Sequence, residues 1–333
     1  MDRFITLDHG SGGKKTSELI SNVFVPAFRN EALEMLGDGA VIPGKDTLVF
    51  STDSFVVSPW FFPGGDIGKL AVCGTVNDVS MSGGEPKFLS LSAIIEEGFP
   101  MEDLEKVVAS VKEAAQAAGV SIVTGDTKVV EKGKGDGIYL NTSGIGFLRH
   151  RGLSPERMRK GDAVIISGTV GDHGTAVMLA RNPGLMTAQI KSDCAPLNHL
   201  AASLAYLGDD VRVMRDPTRG GLATTLCEFV EGTGLSIELD ENLIPVDKSV
   251  KSACDILGLD PLYAANEGKM IAVVSPEKAL EALDILKRQE LGKNAAVIGT
   301  VTDSHPGRVI IKTAFGGTRI AAKLSGAQLP RIC

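Results

Sequence analysis

Two blocks of alternating strand-like and helical segments, parted by one stretch with neither pattern, confine this chain to two mixed α+β units. In the first block, TLVFSTDSFVV (47–57) and KFLSLSAII (87–95) read as strands because β-branched and aromatic residues dominate them. Between them, IGKLAVCGTVNDVSM reads as a helix stopped by Gly83 and Gly84. MEDLEKVVASVKEAAQAAG is the plainest helix of the chain. Leu104, Val107, Val108, Val111, Ala115 and Ala118 recur at spacings of three and four, and Gly119 ends it. Two more strands, VSIVTG and GIYLNTSGIGFL, close the block.

Residues 149–160 (RHRGLSPERMRK) are charged, hold Ser154 and Pro155, and lack apolar periodicity, which places the domain boundary there. The second block restarts with the strand DAVIISG and the glycine-bounded turn GTVGDHG opening a helix. Helical patterns at 196–207, 219–231, 246–257 and 276–288 then alternate with the strands LSIEL, MIAVV, AAVIG and RVIIK. The expected organisation is a glycine-rich leader and helix over 1–36, an N-terminal domain over 37–150, a C-terminal α+β domain over 151–322, and a mobile tail over 323–333. Such a tail sweeps on the order of 30 Å when extended.

A chain of 333 residues is long enough for two cores. Its net charge of −7, with no basic stripe, argues against a nucleic-acid partner. No apolar run reaches the roughly 18 residues of a spanning helix, and the start has no signal-peptide pattern, so the expectation is a cytoplasmic protein without membrane contact. Five cysteines, without a C-x-x-C pair or histidines at ligand spacing, argue against a disulfide framework or structural zinc. Cys73, Cys227 and Cys254 sit in apolar helical patterns and read as small buried hydrophobes. Cys333, last in PRIC, does not; on a tail without periodicity it is expected to have no packing role.

Four acidic residues stand at element ends beside glycine or small polar residues: Asp53 in STDSF, Asp78 in VNDVSMSGG, Asp126 in VTGDTK and Asp216 in RDPTRGG. Magnesium is usually held by a few carboxylates, with phosphates and waters completing its shell, although each aspartate alone is equally at home in a turn. In the leader HGSGGKK, three glycines let backbone N–H groups converge on an anion, with Lys14 and Lys15 adding charge. It does not match a Walker loop, and a flexible polar terminus is the other reading. His9 reads either as a catalytic group or as a loop residue, and His173 receives no role.

Taken in order along the whole chain, HGSGG, STDSF, GTVNDVSMSGG, VTGDTKVV, RDPTRGGL, NEGK and PRIC resemble the HypE family of hydrogenase maturation factors. That family lies within the superfamily of aminoimidazole ribonucleotide synthetase, selenophosphate synthetase and thiamine-monophosphate kinase. N-D-V and D-x-T are shared across the superfamily, whereas NEGK with a terminal PRIC is more specific. The resemblance implies a two-domain aminoimidazole ribonucleotide synthetase-like fold, with N-terminal domains pairing into an interface β-barrel in a homodimer. It implies ATP and Mg2+ as cofactors, with Gly10, Gly12, Gly13, Lys14 and Asn77 at the nucleotide and Asp53, Asp78, Asp126 and Asp216 at the metal. It further implies ATP-dependent dehydration of an S-carboxamide on Cys333 to an S-cyanide, with Glu267 and Lys128 flanking the docked tail and handling protons. The implied partners are the carbamoyltransferase HypF and the HypC–HypD complex, on the way to the cyanide ligands of the [NiFe] centre. A selenophosphate synthetase would carry its reactive residue in the leader, which has no cysteine here. A thiamine-monophosphate kinase-like enzyme would need no terminal thiol, and a non-catalytic ATP-binding scaffold would use the tail only for docking.

Overall fold

The structure is a computed structural model and describes residues 3–10, 14–34, 42–45, 47–186, 189–323 and 331–333. Among them no helix is long and apolar enough to cross a membrane. Gly12 and Gly13 lie outside the described residues, as do 324–330 of the tail.

The first unit begins with three short helices, α1 (Lys14–Leu19), α2 (Val25–Phe28) and α3 (Glu31–Glu34). They are followed by β1 (Leu48–Phe55), the small hairpin β2 (Phe61–Phe62) and β3 (Gly65–Asp66), and α4 (Ile67–Met81). After these come β4 (Gly84–Glu96), α5 (Met101–Ala118), β5 (Ser121–Val130) and β6 (Ile138–Leu148). The four long strands form one sheet in the order β1-β6-β4-β5, with only β4 and β5 parallel, as a helical crossover between them requires. Asp66 starts α4 by accepting from the N–H groups of Gly68 and Lys69, and Gly119, at φ 68°, closes α5 in the left-handed region.

One face of this sheet is the core. Leu89, Leu91, Ala93 and Ile95 of β4 pack there with the apolar stripe of α5 and with α4, in which every residue but Lys69 and Asp78 is buried. The opposite face is open: Phe50 is 66% exposed, and Leu48 and Ile94 are also exposed.

The second unit contains β7 (Ala163–Ile166), α6 (Asp172–Arg181), α7 (Asn198–Leu204), β8 (Val211–Arg215), α8 (Gly221–Val230) and β9 (Ser236–Asp240). It continues with α9 (Lys248–Leu257), β10 (Ile271–Val274), α10 (Ala279–Lys287), β11 (Ala296–Thr302), β12 (Val309–Lys312) and β13 (Thr318–Ala321). Its seven strands run in the order β13-β12-β9-β11-β7-β10-β8, with cores on both faces. β8 and β13 lack a sequence signal of their own. In β8 the buried Arg212 interrupts the apolar pattern and is satisfied by Asp162 at 3.2 Å.

The units meet along α4. The Asn77 amide donates to the carbonyls of Ala195 and Glu267 at 3.2 and 3.3 Å and accepts from the Leu197 N–H at 2.7 Å. From the other side, Asn198 donates to the Ala118 carbonyl at 2.8 Å.

Candidate active site

Three carboxylates face one another where the units join. Asp53 lies on the covered face of β1, in the row of Thr142 and Leu91, and Asp78 follows on α4, accepting from the Ser51 hydroxyl at 2.8 Å. Asp216 leaves the end of β8 fully buried, and its Oδ2 has no hydrogen-bond partner. Burial and the neighbouring charges of Asp78 and Asp53 push its carboxyl up to about 7. Burial also raises Asp53 and Asp78 above the usual carboxylate range, against the Ser54 N–H bond on the first and the Ser51 hydroxyl on the second.

Glu267 is the fourth acid. Its side chain is buried, Oε1 is unpaired, and burial together with Asp216, Asp193 and Asp53 raises its pKa well above the usual range. The NEGK loop is held from several directions. The Asp193 carboxylate accepts from the N–H groups of Glu267 and Gly268 at 3.2 and 3.1 Å and from Lys269 at 3.3 Å. Asn266 donates to the Pro217 and Ala264 carbonyls and accepts from the Gly171 N–H. Gly268 is required because a Cβ there would lie 1.8 Å from the Asp193 carbonyl oxygen. Gly221, at φ 62° and pressed on the carbonyls of Leu262 and Ala264, likewise lets the 216–221 turn close on this loop.

The chain end enters this space. Ile332 is 3% exposed within the first unit's core cluster, and Cys333 packs against the same cluster. The Val56 N–H donates to the main-chain oxygen of Cys333 at 3.1 Å and the Ser58 N–H to the Arg331 carbonyl at 3.4 Å, an antiparallel strand-like pairing. The expectation of an end without packing is therefore corrected: an apolar side chain and main-chain oxygens anchor it. The Cys333 thiol, with Arg219 Nη2 donating to it at 3.8 Å, is pushed up to about 12 by burial and the charge of Glu267, against the pull of Arg219.

Two expected members stand elsewhere. Asp126 shares a row with Ser92, Asn141 and Ser54, one residue out of step with the row of Asp53, so the two carboxylates lie on opposite faces of the sheet. Three strand spacings, about 14 Å, also separate β5 from β1. Lys128 follows Asp126 on the open face and donates to it at 2.8 Å instead of flanking Cys333. Both line a cavity of about 450 Å3 between β5 and the N-terminal helices, where Phe24, Phe28 and Leu33 supply an apolar end and Thr16 and Ser17 a polar one. The 3-10 turn Leu7–Gly10 packs on β5 and leads toward α1, which begins at Lys14. Asn77, expected at the cofactor, forms the tie between units described above, with its amide nitrogen on the Ala195 and Glu267 carbonyls and its oxygen on the Leu197 N–H.

Sequence reasoning missed Arg219, Asp193, Ser192 and the part played by His173. Arg219 had a signal, since it shares RDPTRGG with Asp216; the others come from separate loops joined only by the fold. Among the described residues no three histidine, cysteine or acidic side chains enclose an ion by themselves. The buried, unpaired Asp216 oxygen facing Asp78 and Asp53 nevertheless fits a hard cation that phosphate oxygens and water also hold.

The description "AIR synthase related protein, N-terminal domain" matches residues 36–148, and its C-terminal counterpart matches 159–312. The chain is similar to a carbamoyl dehydratase HypE from Cupriavidus necator, 48% identical over 332 residues, covering 99% of this chain and 95% of that one. A solved structure of hydrogenase maturation protein HypE in complex with ATP superimposes with a TM-score of 0.95 at 48% identity, covering 98% and 99% of the two chains. A HypE–HypF complex gives 0.80 at 52% identity, covering 92% and 99%. With both domains and nearly its full length matched, this chain belongs to the HypE family of hydrogenase maturation proteins, the carbamoyl dehydratases.

Proposed function

We propose that the protein converts an S-carboxamide on Cys333 to an S-cyanide at the expense of ATP: R–S–C(O)NH2 + ATP gives R–S–CN + ADP + phosphate. The observation that carries this reading is the docking of the Cys333 thiol beside Glu267 and Arg219, against a group of buried carboxylates. The amide oxygen is a poor leaving group. Its attack on the γ-phosphorus forms a C–O–P link and breaks the bond to ADP; the C–O bond then breaks as phosphate departs and both N–H protons are lost. Glu267 is suited to take one of them, because its buried carboxylate has a raised proton affinity and an unpaired oxygen. Arg219 would steady the sulphur.

Magnesium, when bound, would spread the charge of the transferred phosphoryl group, and Asp53, Asp78 and Asp216 are the residues that would hold it. The nucleoside fits the apolar end of the 450 Å3 cavity, with Lys128, Thr16 and Ser17 near its phosphates. Because that cavity opens near the exposed sheet face while Asp53 lies behind it, we infer a homodimer in which paired open faces, Phe50 among them, complete the sites. HypF and the HypC–HypD pair are the inferred partners, supported for HypF by the relative's complex.

The test uses protein S-carbamoylated at Cys333 by cyanate, given ATP and Mg2+. The C-terminal peptide should become lighter by one water, whereas Glu267→Gln should bind ATP normally and form product about 10²-fold or more slowly. ATP-independent water loss, or an unimpaired Glu267→Gln protein, refutes the reading.

A further inference from the structure

We propose that His173 is the positioning residue of the tail, and that its dock reads the last three residues through their main-chain oxygens and the Arg331 and Ile332 side chains, whatever the sulphur carries. The identity of that cargo rests on the dehydratase reading; the dock itself does not.

His173 is fully buried at the start of α6, with the Phe62 ring edge-on at 5.4 Å. Its Nε2 is 2.8 Å from the Ile332 carbonyl oxygen, and its Nδ1 is 2.8 Å from the Ser192 hydroxyl. A carbonyl only accepts, so Nε2 carries the proton and Nδ1 accepts from Ser192, whose oxygen in turn accepts from the Cys194 N–H at 3.0 Å. The relay fixes tautomer and ring together, aiming one donor at the tail. An ordinary core histidine would satisfy its ring locally; this one spends its donor on a residue 159 positions away.

Other links run from the body to the tail backbone. Val56 and Ser58 donate their N–H groups to the main-chain oxygens of Cys333 and Arg331, and Arg181 donates to the Arg331 carbonyl as well. Each of the last three residues thus meets a donor from the body at its main-chain oxygen, while the Arg331 side chain donates back to the Val56 carbonyl at 3.0 Å and pairs with Asp136. The sulphur, among the described residues, has the long Arg219 contact. Thiol, carboxamide and cyanide leave these main-chain and Arg331 links unchanged, so one dock serves reactant and product alike, and cargo chemistry does not eject the tail.

The experiment uses the full chain without ATP and follows alkylation of Cys333 by iodoacetamide through mass spectrometry of the C-terminal peptide. Docking protects the thiol. His173→Gln keeps a donor at the Nε2 position, while His173→Asn keeps the Ser192 partner and falls short of Ile332. The Asn protein should be alkylated about tenfold to a hundredfold faster than wild type, and the Gln protein within about threefold of it. Equal rates for Asn and wild type, or for Asn and Gln, overturn the proposal. Should the Asn variant not fold, an ester in place of the Ile332–Cys333 amide, introduced by protein ligation, weakens the same acceptor without touching the body; it should also accelerate alkylation, and an unchanged rate overturns the role of His173. Indifference to cargo is read by hydrogen exchange of the Val56 and Ser58 amides in proteins bearing thiol, carboxamide or cyanide. Protection should agree within about threefold, and its loss with any one cargo refutes that part. Neither readout involves turnover, so a failed dehydratase assay would leave both intact.

Discussion

Replacing Asp216 by asparagine should stabilise the ligand-free protein, by an amount that grows with pH. The carboxyl is buried and raised from 3.8 to about 7 by desolvation and by Asp78 and Asp53. Between those two values the folded chain keeps a proton that the unfolded chain has lost, so wild-type stability falls as pH rises through this window and levels off above about 7. Roughly three pKa units at 1.36 kcal/mol each amount to about 4 kcal/mol, which the neutral amide avoids. Thermal melts from pH 4.5 to 8.5 should show the two proteins diverging to about 6 °C by pH 8, with the variant the more stable. Adding Mg2+ with ATP at pH 8 should raise the wild-type midpoint and leave the variant nearly unmoved, because the charge that a cation neutralises is gone. A difference that stays flat across the window, or a variant less stable at pH 8, would refute the argument that Asp216 is a buried charge waiting for a cation.

If the open sheet face is the dimer interface proposed above, Phe50→Lys places a charge on its β1 edge, and light scattering at micromolar concentration should give a dimer for the wild type and a monomer for the variant; a dimeric variant would move the interface elsewhere. Gly268→Ala forces a Cβ into the Asp193 carbonyl and should cost about 2–4 kcal/mol in denaturant melts, and an unchanged midpoint would show that the NEGK loop has room to shift.

The parts of the fold that were legible in the sequence are those with a local cause. The apolar stripe of α5 and its closing Gly119 mark one helix, and the paired glycines after Met81 stop another even though α4 is apolar all round. β8 was hidden because the Arg212 that interrupts it is matched by Asp162, 50 residues away. In the site, the segment around each aspartate was readable, but the face of the sheet was not. Asp53 and Asp126 differ by one step of strand register, and a one-step difference decides which side a carboxylate serves. His173 and Asp193 could not be read at all, since each gains its meaning only when three loops and the chain end meet.

α4 has a further consequence in terms of hydrogen exchange. A helix buried on all sides and tied through Asn77 to the loops of 195–197 and 267 has no way to open by itself, so its amides should exchange only when the whole molecule unfolds. Cys73, Asn77 and Asp78 therefore ride on the slowest-exchanging part of the chain, while Val56–Ser58 and Arg331–Cys333 are held to each other by a few hydrogen bonds. Ligand binding should then slow exchange throughout α4 by the factor by which it stabilises the whole fold, which makes the helix the gauge of global stability and any change at Val56–Ser58 beyond that factor a measure of the tail alone.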